Sequence, residues 1–408
     1  MKPRDVMKPI LILLLLAIPL LPQESPEARL RRALQTKTGS VNLPGGVIEI
    51  SREIVLPADA HDLDIRGEGT TIKASAAFRG RALIVLAAGK AIKIRDLSLD
   101  GNRAAFARPV APVTSAAMLS RVIANNGILA EGVSGLELSN IKATQAAGFP
   151  ILVSGGRNIR IHDVEITDSG SLDADGHNNG TGGIVLEEGV TDFEILHALV
   201  GKVRGNGVWI RSAQGTASAA QGRIADSEFD ILARAAIELN HAGDVTVENN
   251  TGRMIGFPGE EVLIGGTVLP AAIVSTGGVT HATIRNNRFE QIAGRCFSLD
   301  GFSDGEFQGN ECSEGLFNAI LIRGTGNRIA GNRLTGLNTA RRDQPESLRA
   351  GIYLANGASG NTLEGNQISG FGMAQHCIGG PGQAANTVAK NSCSDGPSVA
   401  WLQPAKQR

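Results

Sequence analysis

The sequence predicts an all-β chain that folds as a single right-handed parallel β-helix, a solenoid of about ten or more coils with a short N-terminal capping helix. Three observations lead to this prediction. A short strand pattern recurs along the chain. An asparagine-containing turn follows most of these strands. No segment after residue 45 keeps an apolar face at helical spacing for three turns.

The recurring strand starts with a small residue and continues with apolar residues that alternate with variable ones, the pattern of a strand with one buried face. NGILAEG from Asn126 and AGIYLANG from Ala350 are two examples. The first inward residues lie 23 to 36 positions apart, the length of one coil, and we predict that they lie directly over one another. They are Ile128, Ile151, Ile184, Val208, Ile237, Ile273, Phe297, Ile320, Ile352 and Ile378.

A second motif, with forms such as VTVENN, ATIRNNRF and NTLEGNQI, places an asparagine at one recurring turn. Asparagine tolerates the left-handed backbone that tight corners need. Stacked asparagines also hydrogen-bond along a ladder. We therefore predict a structural role for Asn250, Asn287, Asn310, Asn332, Asn366 and Asn391.

The N-terminus has the pattern of an export signal. Lys2, Arg4 and Lys8 precede an apolar run from Ile10 to Leu21 that is short for a membrane span. We predict a signal peptide over residues 1–24, with an uncleaved anchor as the alternative, and hence a secreted or periplasmic protein with no span in its mature part. In residues 25–408, a capping helix over 26–36 precedes coils from about 40 to 395 and a tail over 396–408.

The composition excludes one class of partner. The chain has 408 residues, 52 of them glycine, and a formal net charge of −1. Without a basic tract, nucleic acid bound through its phosphates is not expected. An acidic polysaccharide remains compatible, since a local cationic stripe suffices to bind it. We expect a monomer.

The pattern GI-x-L…N-x-I-x-x-N-x-I, together with GSVNLPGGVIEIS and IKIRDLSLDGNR, resembles the pectate-lyase-like right-handed β-helix superfamily over residues 37–395. That resemblance implies a carbohydrate-active protein that acts on or binds a polysaccharide or oligosaccharide as a lyase, hydrolase or epimerase. Because the superfamily also holds tailspikes and adhesins, a non-catalytic glycan-binding or structural protein of the cell envelope is the alternative.

The chain departs from the polygalacturonase pattern within this superfamily. Polygalacturonases carry paired aspartates before the glycine-isoleucine step, where this chain has Gly182, Asn206, Ala235 and Ala271. Only the strand NGVWIR resembles their basic strand, with Arg211 at the basic position. The sequence therefore does not predict polygalacturonase activity.

Four cysteines fit an oxidising compartment. Cys296 and Cys377 each precede a first inward residue and lie three strand steps apart, about 14 Å, too far for a disulfide. Cys312 and Cys393 each follow the asparagine motif of the same coil. We therefore predict the bridges Cys296–Cys312 and Cys377–Cys393, with four free thiols or a metal site as the alternatives.

Uneven coil lengths indicate where a ligand would bind. Long insertions precede the glycine-isoleucine strand at residues 103–125, 167–181, 252–270 and 336–349, and another follows it at 212–222. Long loops without their own structure are typically functional or disordered. We predict a groove on the outward face of this strand, the face that enzymes of the superfamily use.

The central coils concentrate outward side chains that support chemistry. We predict catalytic roles for Glu187, Arg211, Glu238 and His241, as carboxyl pair, base or cation. We predict that Trp209 is a platform for sugar rings. Asn240, His177 and Glu188 complete the predicted substrate-binding set.

Each of these residues also has a structural interpretation. Glu187 and Arg211 on adjacent strands form a cross-strand ion pair in the simplest case. The alternative for Trp209 is that the 212–222 loop covers it. The alternative for His241 is that it only caps a turn. Asp173 and Asp175 are weak candidates for calcium, and no other cofactor is expected.

Overall fold

The computed structural model describes residues 24–106, 117–173, 176, 178–212, 219–257, 270–339, 346–370, 372 and 377–395. The predicted signal and the tail over 396–408 thus lie almost wholly outside the described residues. Within the described ranges, no helix has the length and apolar character to cross a membrane. The helices are α1 Pro26–Ala33, α2 Arg103–Phe106, α3 Leu119–Val122 and α4 Glu346–Arg349, with a 3-10 turn at Gln383–Ala385.

The rest of the described chain is mainly strand. Strands β1 to β10 are Gly39–Asn42, Gly46–Val55, His61–Leu86, Lys90–Asp100, Asn126–Thr144, Ile151–His162, Glu165–Thr167, Ile184–Glu187, Thr191–Leu196 and Leu199–Val203. Strands β11 to β20 are Val208–Arg211, Ala219–Ala225, Glu228–Leu232, Ile237–Glu248, Thr251–Ile255, Ala271–Thr280, Thr283–Arg285, Arg288–Ile292, Arg295–Asp300 and Phe302–Ser303. Strands β21 to β31 are Glu306–Gln308, Glu311–Gly315, Ile320–Arg323, Arg328–Ala330, Arg333–Leu337, Ile352–Leu354, Thr362–Glu364, Gln367–Gly370, Ile378–Gly379, Thr387–Ala389 and Ser392–Ser394.

The strands pair in parallel from coil to coil and form three stacks, which enclose a continuous apolar core. The first stack holds the glycine-isoleucine strands and runs from β2 to β29. The second stack runs from β1 to β30 and the third from β2 to β31, so that the longest strands contribute to more than one stack. The predicted parallel solenoid is confirmed.

The register of the first stack follows the predicted alignment. Ile128 pairs with Ile151, Ile151 with Ile184, and the series continues in step to Ile352 and Ile378. From Ile128 to Ile352 these residues are fully buried. A shift by one residue would turn this apolar row outward, so the core determines the register.

The predicted capping helix is present and shorter than expected. Helix α1 ends at Ala33, and its N-cap Ser25 accepts a hydrogen bond from the backbone of Ala28 at 3.1 Å. Leu30 and Leu34 are fully buried in the apolar core. The helix thus covers the first coil, which would otherwise expose core side chains and unpaired strand edges.

The predicted asparagines form a ladder between the second and third stacks. Asn250, Asn287, Asn310, Asn332 and Asn366 each donate a side-chain hydrogen bond to the asparagine of the next coil, at 2.8 to 3.2 Å. A ladder between the first and second stacks, which we did not predict, links Asn327, Asn361 and Asn386.

The prediction that the ladder asparagines adopt the left-handed backbone is wrong. The residue before each of them does so, as at Asn249 with φ 55° and Gly309 with φ 61°. The left-handed residue turns the chain, and this turn directs the next side chain inward. The ladder side chain can therefore satisfy buried backbone groups, which an outward corner residue cannot reach.

Both predicted disulfides are confirmed. Cys296 joins Cys312 with a Cα–Cα distance of 6.0 Å, and Cys377 joins Cys393 at 5.8 Å. The described part of the chain has no free cysteine. Each bridge links the start of the first-stack segment of a coil to the third stack of the same coil, and therefore closes one coil upon itself.

Removal of the Cys296–Cys312 bridge is expected to lower the free energy of unfolding by about 3 kcal/mol, because a loop of this length loses its entropic constraint on the unfolded chain. The measurement is urea unfolding of C296A/C312A against wild type. Reductant should lower the wild-type midpoint and leave a variant without cysteines unchanged. Equal midpoints for C296A/C312A and wild type would contradict the prediction.

Candidate functional site

The outward face of the first stack is covered at its N-terminal end. Val85, Leu129, Leu152 and Val185 point outward from successive strands and are fully buried. They pack in an outer apolar cluster, separate from the core, whose remaining members are Ala82, Leu119, Ile123 and Phe149. Residues 117–123, here called the wall, thus lie over this part of the face.

The wall is fastened by a buried ion pair. Both carboxylate oxygens of Glu187 accept hydrogen bonds at 2.8 Å, from the backbone N–H groups of Leu119 and Ser120. Arg211 donates to the carbonyl of Ala117 at 2.8 Å and lies 3.5 Å from Glu187. Burial lowers the pKa of Arg211, and the charge of Glu187 opposes this shift.

Glu187 and Arg211 were predicted to face a ligand, and the structure corrects this prediction. Their side chains are 0% and 2% exposed. The cross-strand ion pair that was the structural interpretation is present, although it is buried rather than solvated. Because both are engaged beneath the wall, neither side chain is available to a substrate.

Trp209 lies at the edge of the wall. It is partly buried against the outer apolar cluster, and the guanidinium of Arg211 lies 4.9 Å from its ring centroid. This cation–π contact holds the ring in place from the buried side. The residues that were expected to cover Trp209 include 213–218, which lie outside the described residues.

Glu238 lies beside Trp209 on the next strand of the stack. Asn206 donates to its carboxylate at 2.7 Å and accepts from the backbone of Ala235 at 3.0 Å, which sets the orientation of the amide. Burial raises the pKa of Glu238. The hydrogen bond from Asn206 and the positive charge of Arg234 partly offset this shift.

The indole N–H of Trp209 also lowers the pKa of Glu238, although no hydrogen bond of regular geometry joins the two groups. This buried nitrogen has no partner among the described residues.

Beyond Glu238 the face is accessible. We call the outward side of the first stack from Trp209 to Tyr353 the accessible face. Asn240 donates to Thr276 at 2.8 Å, and Asp300 pairs with Arg323 at 3.0 Å. Its partly buried members are Trp209, Glu238, Asn240, Val274, Thr276, Ser298, Asp300 and Tyr353.

Glu188 and His241 lie at the rim of this face. Both adopt the left-handed backbone, with φ 59° and 52°, at the corner that follows the first-stack strand. The ring of His241 packs close to the corner glycine Gly277 of the next coil. His241 therefore occupies a turn position, as in its structural interpretation, one residue beyond the outward row.

The loop that was expected to reach this rim is described in part. Asp173 is half-buried, whereas Asp175 and His177 lie outside the described residues. Among the described residues, no group of three or more histidine, cysteine, aspartate or glutamate side chains is arranged to hold a metal ion. No calcium site is assigned.

Two surface pockets lie on other sides of the solenoid. One of about 260 Å³ includes Glu228 and Arg253 of the third stack. Another of about 580 Å³ is lined by Arg285 and Arg328 of the second stack and by Lys390. The charged side chains in both are largely paired, as Arg253 is with Asp230 and Arg328 with Glu364.

Sequence reasoning overlooked Asn206 and Arg234. Asn206 occupies the strand position of Asn126, which likewise accepts from the backbone of the next coil. Asn126 donates to backbone carbonyls, whereas Asn206 donates to Glu238. The shared NG start of the two strands is a signal that could have identified this position.

Comparisons with known proteins agree with this architecture. The family described as "Right handed beta helix region" matches residues 271–398. No curated protein matches the sequence significantly.

Three solved structures illustrate the likeness of fold. DFA-IIIase from Arthrobacter chlorophenolicus A6 in complex with GF2 has a TM-score of 0.55 at 13% identity, over 90% of this chain and 97% of that chain. The Yersinia enterocolitica family 28 exopolygalacturonase has a TM-score of 0.57 at 14% identity, over 91% of this chain and 75% of that one. Gene product 12 of bacteriophage phi29 has a TM-score of 0.53 at 14% identity, over 88% and 52%. At such identities the likeness establishes the fold.

Proposed function

We propose that this chain, which has the right-handed parallel β-helix fold of the pectate-lyase-like superfamily, is a carbohydrate-active protein that binds and cleaves a glycan on its accessible face. The observation that carries the proposal is Glu238. It is a carboxyl whose pKa burial raises, oriented by Asn206 and placed beside an aromatic ring. A carboxyl with a raised pKa is suited to protonate a leaving glycosidic oxygen.

Glycoside hydrolysis needs a second carboxyl. Glu238 and Asp300 are the outward carboxyls of the described accessible face. Two strand steps and an offset of two residues along the strand separate their backbones, about 12 Å in all. Side chains that lean together across this distance approach the spacing of inverting enzymes. We therefore assign Glu238 as general acid and Asp300 as the base that activates water, in place of the predicted pair of Glu187 and Glu238.

The face also has the features of a sugar-binding surface. Trp209 and Tyr353 supply aromatic rings at its two ends, and amide and hydroxyl side chains such as Asn240 and Thr276 lie between them. Aromatic faces pack against the apolar side of sugar rings, and polar groups bind the hydroxyls. The related DFA-IIIase in complex with GF2 and the exopolygalacturonase support a glycan as the ligand.

We place this activity outside the cytoplasm. Two disulfides stabilise the coils, and disulfides persist in oxidising compartments. The apolar run at the N-terminus supports export.

Binding without cleavage is the second candidate function. It is favoured by the burial of Glu187 and Arg211, which removes two of the four predicted catalytic residues. Incubation with polygalacturonate, alginate, inulin and levan tests both candidates. New reducing ends indicate a hydrolase, unsaturated-uronide absorbance a lyase, and binding without either product a non-catalytic protein. Failure to bind any glycan would refute both candidates.

Tyr353→Ala is expected to weaken the binding of long oligosaccharides several-fold and to leave short ones unaffected. The reason is that Tyr353 lies at the far end of the face from Trp209, and only long chains reach its ring. The measurement is titration calorimetry with oligomers of increasing length. Val47→Ala, which shortens an exposed apolar side chain near the N-terminus, is the control. Equal losses for all lengths would contradict this placement.

A further inference from the structure

The wall closes one end of the accessible face. It covers the outward residues of β6 and β8 and reaches Arg211 at the end of β11. Leu152, Val185 and Glu187 are all fully buried beneath it. A glycan that lies along the face, across the strands, therefore cannot continue past β11 without displacing the wall.

Glu238 lies very near this closed end. Its strand, β14, is the next one after β11, so about 4.8 Å separates the two backbones. On the other side, four strand steps lead from Glu238 to Tyr353, about 19 Å. The accessible face thus extends much further on one side of the proposed acid, toward Tyr353, than on the other side, toward the wall.

The wall is built as a fixed part of the fold. Glu187 binds two of its backbone N–H groups, Arg211 binds one of its carbonyls, and Ser120 donates to Ser154 at 3.1 Å. Displacing it would expose the outer apolar cluster and leave a buried carboxylate and a buried guanidinium without these partners. Both costs oppose displacement by a passing glycan.

We infer that the accessible face binds the end of a glycan chain and excludes the chain interior, so that the wall makes the protein exo-acting. This inference rests on the proposed function and adds the part of the substrate that is recognised. The terminal sugar lies between the wall and Glu238, beside Trp209, and the rest of the chain extends toward Tyr353. Glu187 and Arg211 then determine specificity as positioning residues, because they hold the wall in place.

The test compares short and long fractions of one linear polysaccharide, polygalacturonate or inulin, whichever the protein binds. Glu238→Gln is used so that the chains stay intact, and calorimetry gives the number of protein molecules bound per chain. End binding predicts the same number for both fractions. Binding along the interior predicts a number that rises in proportion to chain length, and this result would overturn the inference while leaving the proposed function in place.

A variant of the wall anchor gives the second arm. Glu187→Ala, introduced into the Glu238→Gln variant, removes the acceptor of two wall N–H groups. The number of protein molecules bound per long chain is expected to rise above the number for Glu238→Gln alone. Glu290→Ala, which removes a half-buried glutamate of the third stack, should leave the number unchanged. If Glu187→Ala does not fold, the comparison of chain lengths still decides. No binding to either polysaccharide overturns the inference together with the proposed function for these glycans.

Discussion

Replacement of Glu238 by glutamine is expected to lower turnover of the glycan by about 10²- to 10⁴-fold and to leave its binding nearly unchanged. The amide keeps the shape of the side chain and an oxygen that accepts from Asn206, but it has no proton to give the leaving oxygen. General acids contribute rate factors of this size. The measurement is kcat and KM on the glycan that wild type cleaves. Glu290→Gln is the control and should retain wild-type kcat.

The pH dependence provides a readout that a purely structural role would not move. Because the pKa of Glu238 is raised, the wild-type rate should fall as pH rises through that pKa and the acid loses its proton. In E238Q the small remaining rate should lack this limb. An E238Q enzyme with wild-type kcat, or with an unchanged alkaline limb, would refute Glu238 as the acid.

Glu238→Gln should leave stability equal or higher, although it lowers activity. A folded-state pKa above the ordinary value of 4.5 means that the folded protein binds the proton more tightly than the unfolded chain. The free energy of unfolding contributed by Glu238 is therefore present below pH 4.5 and lost as pH rises through the folded-state pKa. E238Q removes this loss. At pH values above the folded-state pKa of Glu238, the Tm of E238Q should equal or exceed that of wild type. In acid the two Tm values should converge.

Replacement of Asn310 by alanine is expected to lower the free energy of unfolding by at least about 2 kcal/mol. Asn310 lies in the middle of the ladder. Its carbonyl accepts from the backbone and the side chain of Asn287, and its amide donates to Ile284 and Asn332. Alanine removes four hydrogen bonds at once and leaves the backbone N–H of Asn287 without its acceptor, and an unsatisfied buried group costs about 1–3 kcal/mol. Urea unfolding measures the change.

The control is Asn356→Ala, which removes an exposed asparagine in the turn after β26. Surface substitutions of this kind usually change stability by less than about 0.5 kcal/mol. If the two variants unfold at the same urea concentration, the ladder does not stabilise the solenoid as its hydrogen bonds indicate. If both variants lose the same free energy of unfolding, the loss of any asparagine, and not the loss of the ladder, is the cause.

The fold was predictable because it repeats. Each coil must bury an isoleucine-led strand against the next, so Ile184 and Ile237 reveal their alignment although 53 residues separate them. The disulfides followed from this alignment, since only cysteines of one coil come within bonding distance. The ladder followed from the spacing of its asparagines. The left-handed backbone was predicted at the ladder asparagine, whereas the residue before it adopts this conformation. The reason is that asparagine suits both the turn and the ladder position.

The candidate site was predictable only in part. Its strand face, Trp209 and Glu238 were identified from the alternation of side chains along the repeat. The wall was not, because residues 103–125 carry no repeat that would reveal where they pack. Asn206 and Arg234 were overlooked for a related reason. Their relation to Glu238 depends on how neighbouring coils place side chains in three dimensions.

By itself, the sequence determined which residues point inward, which point outward and which coils are neighbours, because a solenoid converts a period along the chain into an alignment in space. Only the tertiary structure decided which outward residues meet solvent. Leu119 and Ser120 lie 68 and 67 residues from the carboxylate that binds their N–H groups. Such a contact follows from shape and unsatisfied hydrogen-bond donors, and no local pattern records it. The same contact turns Glu187 from a predicted catalyst into the anchor of the wall.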